Sequence, residues 1–188
     1  MGSTHRSQKR VPPCHNSGFT LVELIMVLTV VSILVTVGIP SFMNIVSSSK
    51  VATASNYLVS TLHLARSEAV RSGTNTVLCK SSDGSYCGDN AVSWSNGWLL
   101  YTDENNDNIR QDNERIIRAQ AALDSSFNFI FRTATYIKFT PSGRSNRNGR
   151  FCFENAYNQN NSRAVIITQA GRFRTEKRKA NNNCAGNG

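Results

Sequence analysis

From Phe19 to Ile39 the chain runs 21 residues with a single charged side chain, Glu23. As an α-helix this run is about 31 Å long, close to the hydrocarbon thickness of a bilayer. Arg6, Lys9 and Arg10 precede it, and residues 1–18 contain no acid. Such a flank keeps the N-terminus cytoplasmic and sends the downstream chain outward. A secretory signal would carry a small-residue cleavage site after its apolar core. No such site is present; the abrupt boundary lies before the run, at Gly18–Phe19.

An acid in so apolar a run needs a partner. Cleavage after Gly18 supplies one. Phe19 then gains a cationic amine, and Glu23, four residues on, shares its helical face. In a bundle of copies each amine would meet the next Glu23 and fix the axial register. The competing reading is a plain anchor with a snorkelling acid.

The stretch Gly18-Phe19-Thr20-Leu21-Val22-Glu23-Leu24, followed by an apolar run with Pro40, resembles the prepilin motif of type IV pilins and type II secretion pseudopilins. The resemblance implies cleavage after Gly18 by prepilin peptidase, N-methylation of Phe19, and Glu23 as the assembly carboxylate. Pro40 matches the proline that bends such helices by removing a backbone donor.

Beyond the run, Val51, Ala54, Leu58, Leu62, Ala65 and Ala69 recur at spacings of three and four, which predicts one apolar helical stripe. Gly73 is the expected C-cap. His63 lies on this helix with no other histidine or acid cluster beside it, and reads as a surface or boundary residue. After Gly73 the period shortens. Strands are expected at 76–80, 97–102, 115–119, 127–132, 136–140, 151–154 and 163–168, separated by Gly, Asn, Ser and Pro clusters. The expected fold is α+β: a long N-terminal α-helix, half transmembrane and half amphipathic, packed against an antiparallel β-sheet globular domain. The expected divisions are a cleaved leader (1–18), a transmembrane and assembly helix (19–40), an amphipathic helix (41–73) and a β-rich domain (74–188).

Of five cysteines, Cys14 lies in the leader. The remaining four suit an exported, disulfide-bonded domain. Of the three pairings, the favoured one joins Cys79 to Cys87 and Cys152 to Cys184. No cofactor is expected. No nucleophile–base–acid set is legible and histidines number only three, so the chain is not expected to be an enzyme.

Two further stretches carry chemistry. Asp103, Asn105, Asp107 and Glu114 fall at the first, third, fifth and twelfth places of a calcium loop, but Asn108 occupies the place that requires Gly. The same residues can simply shape a turn. The second stretch is basic. Residues 19–131 carry 7 Lys/Arg against 10 Asp/Glu, whereas residues 132–188 carry 11 against 2. Lys138, Arg144, Arg147 and Arg150 lie on or near two predicted strands and their connection. Arg172, Arg174, Lys177, Arg178 and Lys179 come later, in Gly171-Arg172-Phe173-Arg174-Thr175-Glu176-Lys177-Arg178-Lys179. In extended chain Arg172 and Arg174 point to one side, and Phe173 between them is a core candidate. Gly171 is expected to let the backbone approach a ligand closely. Arginine forks match phosphate geometry, and no base-reading module accompanies them, so binding to DNA would be insensitive to sequence. A solvated or lipid-facing basic surface is the competing reading.

The acidic loop with Glu114-Arg115-Ile116-Ile117-Arg118, and Phe139-Thr140-Pro141-Ser142-Gly143-Arg144, resemble the GspH/FimT branch of pseudopilins. Gly171-Arg172-Phe173-Arg174 is similar to the G-R-x-R element of FimT-type minor pilins. That resemblance implies DNA contact at Arg172 and Arg174, in DNA uptake during natural transformation. Implied partners are DNA, other pilins in the filament, prepilin peptidase and, before assembly, inner-membrane lipid. The implied location is the bacterial inner membrane with the domain in the periplasm, then a type IV pilus on the cell surface. The alternatives are a type II secretion pseudopilin and an assembly-priming minor pilin without DNA binding.

Overall fold

The computed structural model describes residues 18–125, 127–131, 134–155 and 162–178, without the side chains of Val37, Pro40, Ser41, Phe127, Asn128, Asn155 and Arg178. The chain divides into two compact units, residues 1–41 and 42–188. In the first unit, helix α1 (Leu21–Ser72) begins after Thr20, whose hydroxyl accepts the Glu23 backbone N–H at 3.2 Å. Thr20 is therefore the N-cap, and Glu23 stands in the first turn, where the helix dipole favours an acid. The first part of α1 is apolar and exposed, as at Leu21, Ile25, Leu28 and Leu34. Among the described residues, no helix is long and apolar enough to cross a membrane. The expected span 19–40 contains Val37 and Pro40, whose side chains lie outside that description.

In the second unit the predicted stripe is the buried one: Val51, Leu58, Leu62, Ala65 and Ala69 are each at most 1% exposed. α1 stops at Gly73, whose φ of 68° is the left-handed cap that glycine takes without strain. Among the described residues eight strands come next: β1 (Asn75–Lys80), β2 (Trp98–Asp103), β3 (Ile116–Gln120), β4 (Phe127–Phe131), β5 (Tyr136–Phe139), β6 (Gly149–Asn155), β7 (Ser162–Ile167) and β8 (Phe173–Arg178). Seven lie where the sequence places strands. β8 is the addition: in the sequence it reads as a basic segment, because its charges hide the alternation that begins at Phe173.

The expected α+β class holds, but the antiparallel pairs form two sheets, ordered β3-β2-β1-β5 and β4-β6-β7-β8. Leu78, Leu100, Ile137 and Phe139 from the first sheet meet Phe129, Phe151, Phe153, Val165 and Ile167 from the second, together with the helix stripe, in one core. Its centre is aromatic: Phe131 and Phe151 stack at 4.1 Å, Phe129 and Phe153 at 4.3 Å, and Trp94 meets Phe151 edge-on at 5.2 Å. The Thr76 hydroxyl, buried beside the helix, donates to the Ala65 carbonyl at 2.9 Å and so loses no hydrogen bond. A disulfide joins Cys79 to Cys87. Cys152 is disulfide-bonded, and its expected partner Cys184 lies outside the described residues.

Candidate nucleic-acid interface

β8 alternates as an edge strand should. Phe173 turns inward, its ring 5.8 Å from Phe139 and 4.8 Å from His63. Arg174 and Glu176 share the opposite face. On that face Ile166 of β7 stands in register with Arg150 of β6 on one side and Arg174 of β8 on the other. Strand spacing puts the two arginine backbones roughly 10 Å apart. The buried Nε of Arg150 has no hydrogen-bond partner among the described residues. The Arg174 side chain is 70% exposed and forms a 3.0 Å ion pair with Glu176.

Arg172 stands in the turn between β7 and β8. The turn is closed by the Thr168 N–H on the Arg172 carbonyl at 3.1 Å and the Gly171 N–H on the Thr168 carbonyl at 2.8 Å. It is also fixed from outside. The Ser145 N–H donates to the Gln169 carbonyl at 3.0 Å, and the Gln169 N–H donates to Asn148 Oδ1 at 2.8 Å. These bonds tie it to the β5–β6 loop, which carries Arg144 and Arg147. Arg66 of α1 donates to the Gly171 carbonyl at 3.0 Å. Exposed Arg144 and Arg172 therefore project from two turns locked together.

Gly171 does not do what the sequence suggests. Its φ is 70°, and a Cβ there would lie 2.2 Å from the Gly143 carbonyl oxygen. Gly171 is buried, so the close backbone approach is to the protein's own loop rather than to a ligand.

Residues 54–171, more than half of the chain, match the family profile described as type II transport protein GspH. The chain belongs to the GspH family. Residues 14–39 match the prokaryotic N-terminal methylation motif. This GspH-family chain shares its fold with the type IV minor pilin FimU of Pseudomonas aeruginosa at 18% identity and a TM-score of 0.51, over 68% of this chain and 89% of that one. It also resembles the minor pseudopilin EpsH of the type 2 secretion system of Vibrio cholerae, at 12% identity and a TM-score of 0.51, over 68% and 97% of the two chains. No curated protein matches it. Motif, family and fold together make it a minor type IV pilin or pseudopilin.

The GspH-family domain separates the expected cations into groups. Arg150 and Arg174 share one sheet face, and Arg144, Arg147 and Arg172 share the joined turns. Lys138 belongs to the first sheet, where its ammonium donates to Asn106 Oδ1 at 2.8 Å. The Arg147 guanidinium lies 5.5 Å over the Tyr136 ring, which draws it toward that sheet. Lys177 is exposed on the face opposite Arg174, in register with Arg163. The Arg178 side chain and Lys179 lie outside the described residues.

Three residues escape a reading of the sequence. Arg66 is hidden on the helix, and nothing local announces that it reaches a turn 105 residues away. Arg163 belongs to the basic block, with no mark that singles it out. Glu176 is legible in principle: two residues from Arg174 in an extended chain, it shares that arginine's face.

Proposed function

We propose that this chain is a minor type IV pilin that binds DNA without sequence preference and takes part in its uptake. The observation that carries the reading is the pairing of Arg150 and Arg174 across Ile166, next to turns that hold Arg144 and Arg172 in fixed positions. A fixed cationic surface loses little side-chain and loop entropy on meeting a phosphate backbone. In this reading prepilin peptidase cuts after Gly18, Phe19 is methylated, and the apolar run of residues 19–39 roots the protein in the inner membrane. The domain faces the periplasm until Glu23 guides entry into the filament beside other pilins. Retraction then draws bound DNA inward.

The test is a titration of duplex DNA with the full-length protein in detergent micelles at several salt concentrations. Affinity is expected to fall steeply with salt. The double variant Arg172→Gln with Arg174→Gln is expected to lose about ten-fold or more. Salt-insensitive or absent binding by the wild type refutes the reading. The rival is a structural pseudopilin, a role that the fold shared with EpsH accommodates equally well. For that rival no DNA binding is expected at any salt concentration.

A further inference from the structure

Asp103 closes β2, is 1% exposed, and has no hydrogen-bond partner for either carboxylate oxygen among the described residues. A bare buried carboxylate persists only with a counter-charge. Among the described residues no cation pairs with Asp103: Arg115 is bonded to Glu68, Arg110 pairs with Asp112 at 2.9 Å while its buried Nε has no partner, and Lys138 donates to Asn106 at 2.8 Å.

The same strand and loop carry further oxygens with acceptor capacity to spare. Tyr101, two residues back on the same face of β2, has a buried hydroxyl without a partner among the described residues. Burial first, and then the charges of Asp103, Glu114 and Asp107, push its proton affinity up. Asn108, held at a φ of 62°, likewise has a buried side-chain oxygen without a partner. Glu114 is 2% exposed and accepts one backbone N–H at each oxygen, from Glu104 at 3.1 Å and Gln111 at 2.9 Å. A carboxylate so bonded keeps lone pairs for a further contact.

The structure assigns this loop, residues 103–114, as a calcium site in which Asp103 is the charged ligand and Asn108 Oδ1 and Glu114 complete the protein's share. All the donors are hard oxygens, and an irregular loop suits an ion that takes six to eight oxygens in adaptable geometry. The donor set differs from the one that spacing suggests. Asn105 and Asp107 are exposed and use their oxygens to shape the turn: Asp107 accepts from the Ile109 N–H at 2.7 Å and from Gln111 Nε2 at 2.8 Å. Among the described residues no group of three or more His, Cys, Asp or Glu could hold a metal. The site therefore rests on two carboxylates and neutral oxygens, which places it in the weak range, with a Kd of about 0.1–1 mM.

Full-length protein in detergent, first stripped with chelator, is titrated with CaCl2 and separately with MgCl2 by calorimetry, and its melting is followed in both. One-site calcium binding is expected, with a melting rise of roughly 3–8 °C at about 10 mM calcium and a smaller response to magnesium. Asp103→Asn is expected to bind calcium at least about ten-fold more weakly. It should also melt at or above the wild-type temperature in chelator and below it in calcium, because it removes an uncompensated charge. A wild type without calcium heat or melting shift, or an Asp103→Asn variant that binds calcium as the wild type does, overturns the assignment. If Asp103→Asn fails to fold, Asn108→Gly decides: weaker calcium binding supports the site and unchanged binding overturns it.

Discussion

Arg66 and Gly171 lie 105 residues apart in the chain, and the guanidinium of one donates to the carbonyl of the other at 3.0 Å. The bond fastens the turn that carries Arg172 to the packed half of α1. Gly171 makes the approach possible, since its positive φ and missing side chain let it lie against the Gly143 carbonyl.

Gly171→Ala is expected to destabilise the protein by about 2 kcal/mol or more, because the new methyl meets backbone that cannot yield. Arg66→Gln should cost about 1–2 kcal/mol through the lost charge-assisted bond. Urea unfolding of both variants measures these losses. Wild-type stability of Gly171→Ala would show that the two turns are not held together as described.

Glu68 makes stability depend on acid. Its carboxyl is held down to about 2, chiefly by the bidentate Arg71 hydrogen bonds, with Arg115 assisting and burial opposing. A lowered carboxyl pKa gives stability that is present in full above the unfolded value of 4.5 and is lost as pH falls toward 2. The expected loss is on the order of 1–2 kcal/mol, discounted because Arg71 is largely exposed to solvent. Urea midpoints measured from pH 6 to pH 2 should fall less steeply in Glu68→Gln than in the wild type.

Glu176 competes with any polyanion for Arg174, its partner at 3.0 Å. Under the DNA reading, Glu176→Gln should tighten duplex binding by roughly three- to ten-fold and steepen the salt dependence by up to about one counterion. Weaker binding in that variant would mean that the ion pair positions Arg174 rather than occupying it.

The disulfide between Cys79 and Cys87 closes a short loop at the end of β1. Cys87→Ser is expected to cost about 2–3 kcal/mol, from the entropy regained by the unfolded chain. The melting temperature of that variant, measured without reductant, checks the figure.

Much of the fold is legible because it depends on local periodicity. Spacings of three and four mark the buried stripe from Val51 to Ala69, and seven strands show through their alternation and punctuation. β8 does not, since Arg174, Glu176, Lys177 and Arg178 leave Phe173 as its only large apolar residue. The site is legible in composition but not in arrangement. Nine basic residues can be named, yet nothing local tells that Lys138 belongs to another sheet, or that Lys177 faces away from Arg174.

The sequence by itself determined the apolar stem with its single acid, the amphipathic helix after it, and the richness in cations of the last third. Those properties depend on residue type and short-range spacing. Only the tertiary structure decided that β4 leaves its sequence neighbours to pair with β6, that Arg150 and Arg174 flank Ile166, and that Asp103 is buried without a partner among the described residues. Strand register and burial join residues far apart in the chain. They are fixed by how one core fills between two sheets and a helix, which no short window of sequence contains.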